Sequence, residues 1–196
     1  MIGIFHLNSQ PFGLTYAEWT TRWWRWLIGI PTSFNPALDI NGENCSQNQL
    51  DEHVWFIAGT INPLVSAKRK CIIPIGRAIL FPIVNNLVSF TEYPEAKNEN
   101  DLLSMVGKDF VKGMELQLLL DDNLVTNTDI YRVTSHPFEI AYPVDNVFHA
   151  KPGISIAVSD GFWVFLRPLS KGSHWMYIYG REPNYETEVR YTIEVQ

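Results

Sequence analysis

The residues able to do chemistry are scattered along the chain. The five histidines, His6, His53, His136, His149 and His174, show neither the i, i+4 spacing of a zinc-protease helix nor an H-x-H pair. Strands could still gather His136, His149 and His174 into a metal site. The plainer expectation is unrelated turn histidines. His174 stands out because it follows the turn at Gly172 and opens an apolar stretch, which suits a ring nitrogen bonded to a loop carbonyl. Glu18, Asp39, Asp121, Asp122 and Asp160 are the carboxylates available for acid/base work. Only the fold can bring two of them to a glycosidase separation. Glu18 and Asp160 also have simpler uses, in a helix cap and in a turn at Asp160-Gly161. No G-x-S-x-G elbow, phosphate loop or dinucleotide fingerprint occurs.

Two further groups could bind rather than react. Asp39, Asn41 and Glu43 alternate along a polar stretch and could face one calcium ion with oxygen ligands. Gly42 falls at the wrong place for a helix-loop-helix calcium site, so an Asx-type turn is the main expectation and no cofactor is predicted. Trp175, Tyr177 and Tyr179 share one face of a strand, with Met176 and Ile178 on the other. One face packs in a core. The other is either covered as well or free to stack on a sugar ring, since such rings are apolar in body and polar at one edge.

These residues need a scaffold. A chain of 196 residues with 46% hydrophobic residues can bury one substantial core, and the reading is one domain over 1–196. A net charge of −6 argues against a nucleic-acid partner. The one basic cluster, Lys68-Arg69-Lys70, reads as a solvated turn. No apolar run is long enough to span a bilayer, and Met1 to Leu7 lacks the basic start and cleavage site of a signal peptide. Cys45 and Cys71 suit one disulfide and an oxidising compartment; two buried thiols are the alternative.

The scaffold is organised around Thr15 to Pro31. Thr15 and Glu18 fit a capping box, Trp19, Trp23, Trp26 and Ile30 recur at helical spacing, and Gly29 and Pro31 end the helix. Thr20, Arg22 and Arg25 fall on its polar side. Residues 31–49 form a long ordered loop held by Cys45. Val54 to Gly59, Cys71 to Ile75 and Ala78 to Val84 read as strands, with Pro82 marking an edge or a bulge. A second helix is predicted near 101–112, capped by Asn100 or Asp101 and closed by Gly113. Met114 to Leu120 and Leu124-Val125 suit a hairpin. Short strands follow at Ile130 to Thr134, Phe138 to Tyr142, Ile154 to Val158, Gly161 to Leu166, His174 to Tyr179 and Thr187 to Val195. In the last, Val189, Tyr191, Ile193 and Val195 alternate with Glu188, Arg190, Thr192 and Glu194, which predicts one dry and one wet face. Its expected partner is His174 to Tyr179, joined by a loop over Gly180 to Glu186. The fold class is mainly β: a single jelly-roll-like β-sandwich with a Trp-rich N-terminal helix and a second short one.

Tyr16-x-Glu18-Trp19-x3-Trp23-Trp24-x-Trp26, then Pro31, Asp39, Gly42, Cys45 and Gln49, then Val54-Trp55-Phe56-x-Ala58-Gly59-Thr60, form a long pattern. It continues at Cys71-x-x-Pro74-x-Gly76, Pro82, Asp160-Gly161-Phe162-Trp163, Pro168-Leu169 and Gly172-Ser173-His174. This pattern resembles a family of small, uncharacterised, mostly bacterial proteins. The likeness covers most of the chain outside about 90–130. It departs at Leu50-Asp51-Glu52-His53, where the family carries a glycine and a proline. The resemblance implies export from the cytoplasm, in agreement with a disulfide, and assigns no catalytic residue. The functional expectation is a secreted or cell-surface, non-enzymatic binding or structural protein whose partner is a carbohydrate or another surface protein. Its candidate ligand residues are His174, Trp175, Tyr177 and Tyr179. The alternative is a hydrolase with a carboxylate or histidine-metal site.

Overall fold

A computed structural model of the chain describes residues 3–61, 64–108, 114–183 and 185–196. The protein is mainly β, with two five-stranded sheets that do not close on one another, as in a sandwich. The first sheet has the order β1 (Val54–Phe56), β3 (Ala78–Ser89), β8 (Gly153–Leu166), with β6 (Arg132–Thr134) and β7 (Phe138–Tyr142) both pairing along the far edge of β8. The second has the order β2 (Ser66–Ile73), β10 (Tyr185–Val195), β9 (Gly172–Glu182), β4 (Glu115–Leu120), β5 (Asn123–Leu124). We call them the covered and the open sheet. Their facing sides, with Phe81, Ile83 and Val164 from one and Met176, Ile178 and Ile193 from the other, form one core.

The other side of the first sheet is covered by α1 (Tyr16–Ile28). Thr15 and Glu18 form the expected capping box: Thr15 Oγ1 accepts from Glu18 N at 3.2 Å and Glu18 Oε2 accepts from Thr15 N at 2.8 Å. At the far end the buried Asn35 donates from Nδ2 to Leu27 O (2.8 Å) and Ile30 O (3.1 Å), satisfying carbonyls that the helix leaves over. Trp19, Trp23 and Trp26 are buried as the spacing predicts. Trp24 is buried too, with Phe148 packed edge-on against its ring, and Thr20 is fully buried, so Thr20 does not lie on the polar side. Arg22 and Arg25 do.

The loop after α1 is ordered by specific bonds. The Cys45–Cys71 disulfide ties it to β2, with Cα atoms 6.0 Å apart. Lys68 N and Lys70 N donate to Ile40 O and Asn41 O, so the loop covers the free edge of β2. Gly42 makes this approach possible. It has φ +95°, and a Cβ there would lie 2.4 Å from Lys70 O. Gln49 serves the edge of β1 in the same way: its side chain accepts from Phe56 N (2.9 Å) and donates to Phe56 O (2.7 Å).

Several elements differ from expectation. Lys68-Arg69-Lys70 is the middle of β2, not a solvated turn, and Arg69 is only 2% exposed. Asp160-Gly161 is not a turn either: one long strand, β8, runs through it. Asp160 is buried there and accepts a forked pair of bonds from Arg132, and Gly161 lets β3 pass, since a Cβ would lie 2.7 Å from Asn85 Cβ. Pro82 marks a bulge, as the register of β3 shifts between Pro82 and Val84, and it lies beyond Ala78–Leu80, where β1 pairs, so among the described residues β3 has a partner strand there on the β8 side alone. The second helix, α2 (Glu99–Met105), is capped by Asn98, whose Oδ1 accepts from Asn100 N and Asp101 N. The helix ends at Met105, short of the predicted 112, and the predicted close at Gly113 lies outside the described residues. The β4–β5 hairpin forms, turning on Asp121 and Asp122 with φ +48° and +63°. β10 pairs antiparallel with β9 in the expected partnership, yet β9 extends to Glu182 and β10 starts at Tyr185, so the predicted loop is mostly strand.

Candidate functional site

β9 carries the predicted ligand residues on the outer side of the open sheet. Met176 and Ile178 are fully buried, so by alternation Trp175, Tyr177 and Tyr179 face outward. Trp175 is 37% exposed, and both tyrosines are half-buried. Leu119 of β4 lies opposite Tyr177 on one side and Arg190 of β10 on the other. The Arg190 guanidinium sits 5.3 Å from the Tyr177 ring centre, within cation–π range. Together with Gln117 these residues line a shallow, largely apolar groove.

His174 begins the same strand but serves a different end. Its Nδ1 lies 2.6 Å from Asp121 Oδ2, and its Nε2 lies 2.9 Å from Ser170 O. Both partners are acceptors, so the arrangement favours a ring that donates from both nitrogens. Burial works against that charge, but the Asp121 carboxylate and the Ser170 carbonyl outweigh it and hold the His174 pKa above its ordinary value. Asp121 Oδ1 also accepts from Trp175 N at 3.0 Å. The imidazole therefore joins the β4–β5 turn to the loop before β9. The loop-carbonyl bond expected from the sequence is present.

The other candidates are dispersed. His136 and His149 are exposed on separate loops, and among the described residues no three His, Cys, Asp or Glu side chains converge as a metal group. Asp39 accepts from Asn41 N and Gly42 N through Oδ1 (3.0 Å each) and from Asn44 N through Oδ2 (2.7 Å), the bonds of an Asx turn. Asn41 Nδ2 donates to Glu43 Oε1 at 2.9 Å. Asp160 is bound to Arg132 at 2.6 Å, Asp121 to His174, and Glu18 to its own helix cap.

No family model and no curated protein matches this sequence. Among solved structures, the solution structure of amebosin aligns at 9% identity over 68% of this chain and 99% of that chain, with a TM-score of 0.19. So low a score bears on neither fold nor function.

Three features were not read from the sequence. The first is Arg69. Its Nε donates to Asp39 O (2.7 Å), and Nη1 to Ala58 O (2.7 Å), Gly59 O (2.9 Å) and the Tyr191 hydroxyl (2.8 Å). A guanidinium held by carbonyls and a phenol, in a core, joins both loops to the open sheet. The signal was that Arg69 falls in step with Ala67 and Cys71, two residues to either side, which places it on the dry face, while Lys68 and Lys70 alternate with it. The second is Glu92, which accepts from Tyr142 Oη (2.8 Å) and Ser89 Oγ (3.0 Å). Burial raises its pKa, against the pull of those two bonds. The third is a cavity of about 240 Å3 where α1, β3 and the β9–β10 connection meet, walled by Trp23, Trp24, Asn85, Phe148 and Tyr185. Nothing in local spacing signals it, because its walls come from seven separate segments.

Proposed function

We propose that the protein is a non-enzymatic extracytoplasmic binding protein that meets carbohydrate on the outer face of the open sheet. The row Trp175, Tyr177, Tyr179 supports this reading: three aromatic side chains on consecutive outward positions of one strand, roughly 7 Å apart. Such rings offer flat apolar surface to a sugar ring, and Arg190 and Gln117 beside them offer donors to its hydroxyls. The Cys45–Cys71 bond supports an oxidising compartment. A hydrolase needs two carboxylates facing each other across a cleft, whereas Glu18, Asp39, Asp121 and Asp160 are each engaged in a different part of the molecule.

The test is affinity electrophoresis of the parent and of Trp175→Ala in gels containing soluble glucans, xylans or chitosan. Retardation of the parent by at least one polymer, lost in the variant, supports the reading. Equal mobility of both proteins in every gel overturns it.

A further inference from the structure

The cavity beside β3 follows from the topology of the covered sheet. β1 pairs with β3 only through Val54–Phe56 against Ala78–Leu80, whereas β3 runs on to Ser89. Where β1 leaves, the bulge after Pro82 turns β3, and among the described residues no strand takes the vacated side. The gap is bounded instead by Trp23, Trp24 and Leu27 of α1 and by the segment from Ala58 to Ile61. Its walls are held in place. Arg69 grips the carbonyls of Ala58 and Gly59, Thr60 N donates to Thr187 Oγ1 (2.9 Å), and the Tyr185 hydroxyl donates to Thr60 O. Half-buried Ile61, Asn86 and Phe148 form a rim toward solvent.

The polar groups in the wall point to the ligand. Three of the four α1 indoles donate to backbone carbonyls: Trp19 to Pro11 O, Trp23 to Ile57 O and Trp26 to Gln47 O. Trp24 Nε1 is buried and has no acceptor among the described residues, and Asn85 Nδ2 is in the same state. Trp55 Nε1 and Trp163 Nε1 also lack one, but neither residue lines the cavity. A buried donor without an acceptor is costly, and a ligand oxygen would remove that cost at two points. Aromatic walls suit a flat ring. The Glu182 carboxyl at the wall disfavours an anion. The volume is below the roughly 300–1,000 Å3 of pockets that enclose drug-sized ligands, so one ring fits.

We propose that this cavity binds one small, uncharged, single-ring molecule through an oxygen that accepts hydrogen bonds from Trp24 and Asn85. The site is separate from the outer aromatic row and takes a different class of ligand.

Benzamide, benzoate and toluene serve as probes, with tryptophan fluorescence and saturation-transfer NMR as readouts. Benzamide should bind saturably with a Kd of roughly 1 mM or below, and toluene and benzoate more weakly. Trp24→Phe keeps a ring and removes the N–H; Asn85→Ala removes the amide. Each should weaken benzamide by about three- to tenfold, the loss of one hydrogen bond, and leave toluene unchanged. If Trp24→Phe does not fold, as judged by circular dichroism, Asn85→Ala carries the comparison. Trp175→Ala should bind benzamide like the parent, whatever its behaviour with polysaccharide. Absence of saturable benzamide binding, benzoate binding more tightly than benzamide, or parental affinity in the folded variants would overturn the proposal.

Discussion

The two sheets solve one packing problem differently. The covered sheet is buried on both faces, so β3 and β8 read as nearly unbroken apolar runs, and the charge within it, Asp160, is matched by Arg132. The open sheet is buried on one face. β2 and β10 alternate residue by residue, and the outer face is free to carry Trp175, Tyr177 and Arg190. A helix rich in indole turns one half of a sandwich into a closed interior and leaves the other half with an open outer face.

Substitution of neighbouring residues gives the largest contrast. On β10, Ile193→Asp places a charge in the core and should unfold the protein, while Thr192→Asp on the outer face should be tolerated. On β8 the two faces should not differ: Val164 points to the sandwich core and Phe165 to α1, both fully buried, so Val164→Asp and Phe165→Asp should both unfold it. Urea melts of the four variants decide this. A tolerated Phe165→Asp would show that α1 does not cover the sheet.

Arg69 comes next, as the residue that fastens the loops of the covered half to the open sheet. Arg69→Ala removes donors from five buried acceptors, Ala37 O among them, and should cost about 3–5 kcal/mol, comparable with breaking a buried charge pair. Arg69→Lys should recover only part of this, because an ammonium cannot spread its donors as the planar fork does. Parental stability for the lysine variant in a urea melt would show that charge alone matters there.

Tryptophans of the two regions should then separate in size of effect. Trp23 is 2% exposed and its indole donates to Ile57 O at 2.9 Å, so Trp23→Ala should cost about 3–5 kcal/mol. Trp175 is 37% exposed, and Trp175→Ala should cost less than about 1 kcal/mol. Equal losses in thermal melts would mean that the outer row is structural, which also weakens its assignment as a binding face.

How much of this was legible depends on where the information sits. The helix, its cap and the register of β10 rest on periodicity within a dozen residues, and the sequence displays them directly. The reading of Asp160-Gly161 failed because glycine has two uses. It forms turns, and it also makes room for close neighbours: here it lets β3 pass, a strand far along the chain. Arg69 failed for a related reason: three adjacent basic residues look solvated until the strand is known to send the middle one inward. That Trp175, Tyr177 and Tyr179 share one face was legible, because a strand's alternation predicts it; that this face is left uncovered was not, since both faces of β9 are apolar in sequence. The cavity was not, since its walls meet only in the folded chain.

The smallest effect concerns the edge of the open sheet, where His174 joins Asp121 and the Ser170 carbonyl. The His174 pKa lies above its ordinary value, so the folded protein holds that proton more tightly than the unfolded chain. The resulting stability is fully present below about pH 6.5, the ordinary histidine value, and is lost as pH rises through the higher folded value. The charges that face the ring are Asp121 and, more distantly, Glu194, and both favour the protonated form. Asp121 is 43% exposed, so solvent screening limits the pair to about 1 kcal/mol or less. Asp121→Asn tests it cleanly. Asparagine tolerates the left-handed backbone at this position, φ +48°, and its Oδ1 can still accept from Trp175 N. The substitution can thus shift stability by a constant amount at every pH, which reports on backbone and hydrogen bonds. The ion pair shows only in the slope: the parent should lose its advantage as pH rises from about 6.5 through the raised folded value, and the variant should be flatter. Parallel stability curves for the two proteins across that range would mean that His174 is neutral in the fold and that its bond to Asp121 carries no charge.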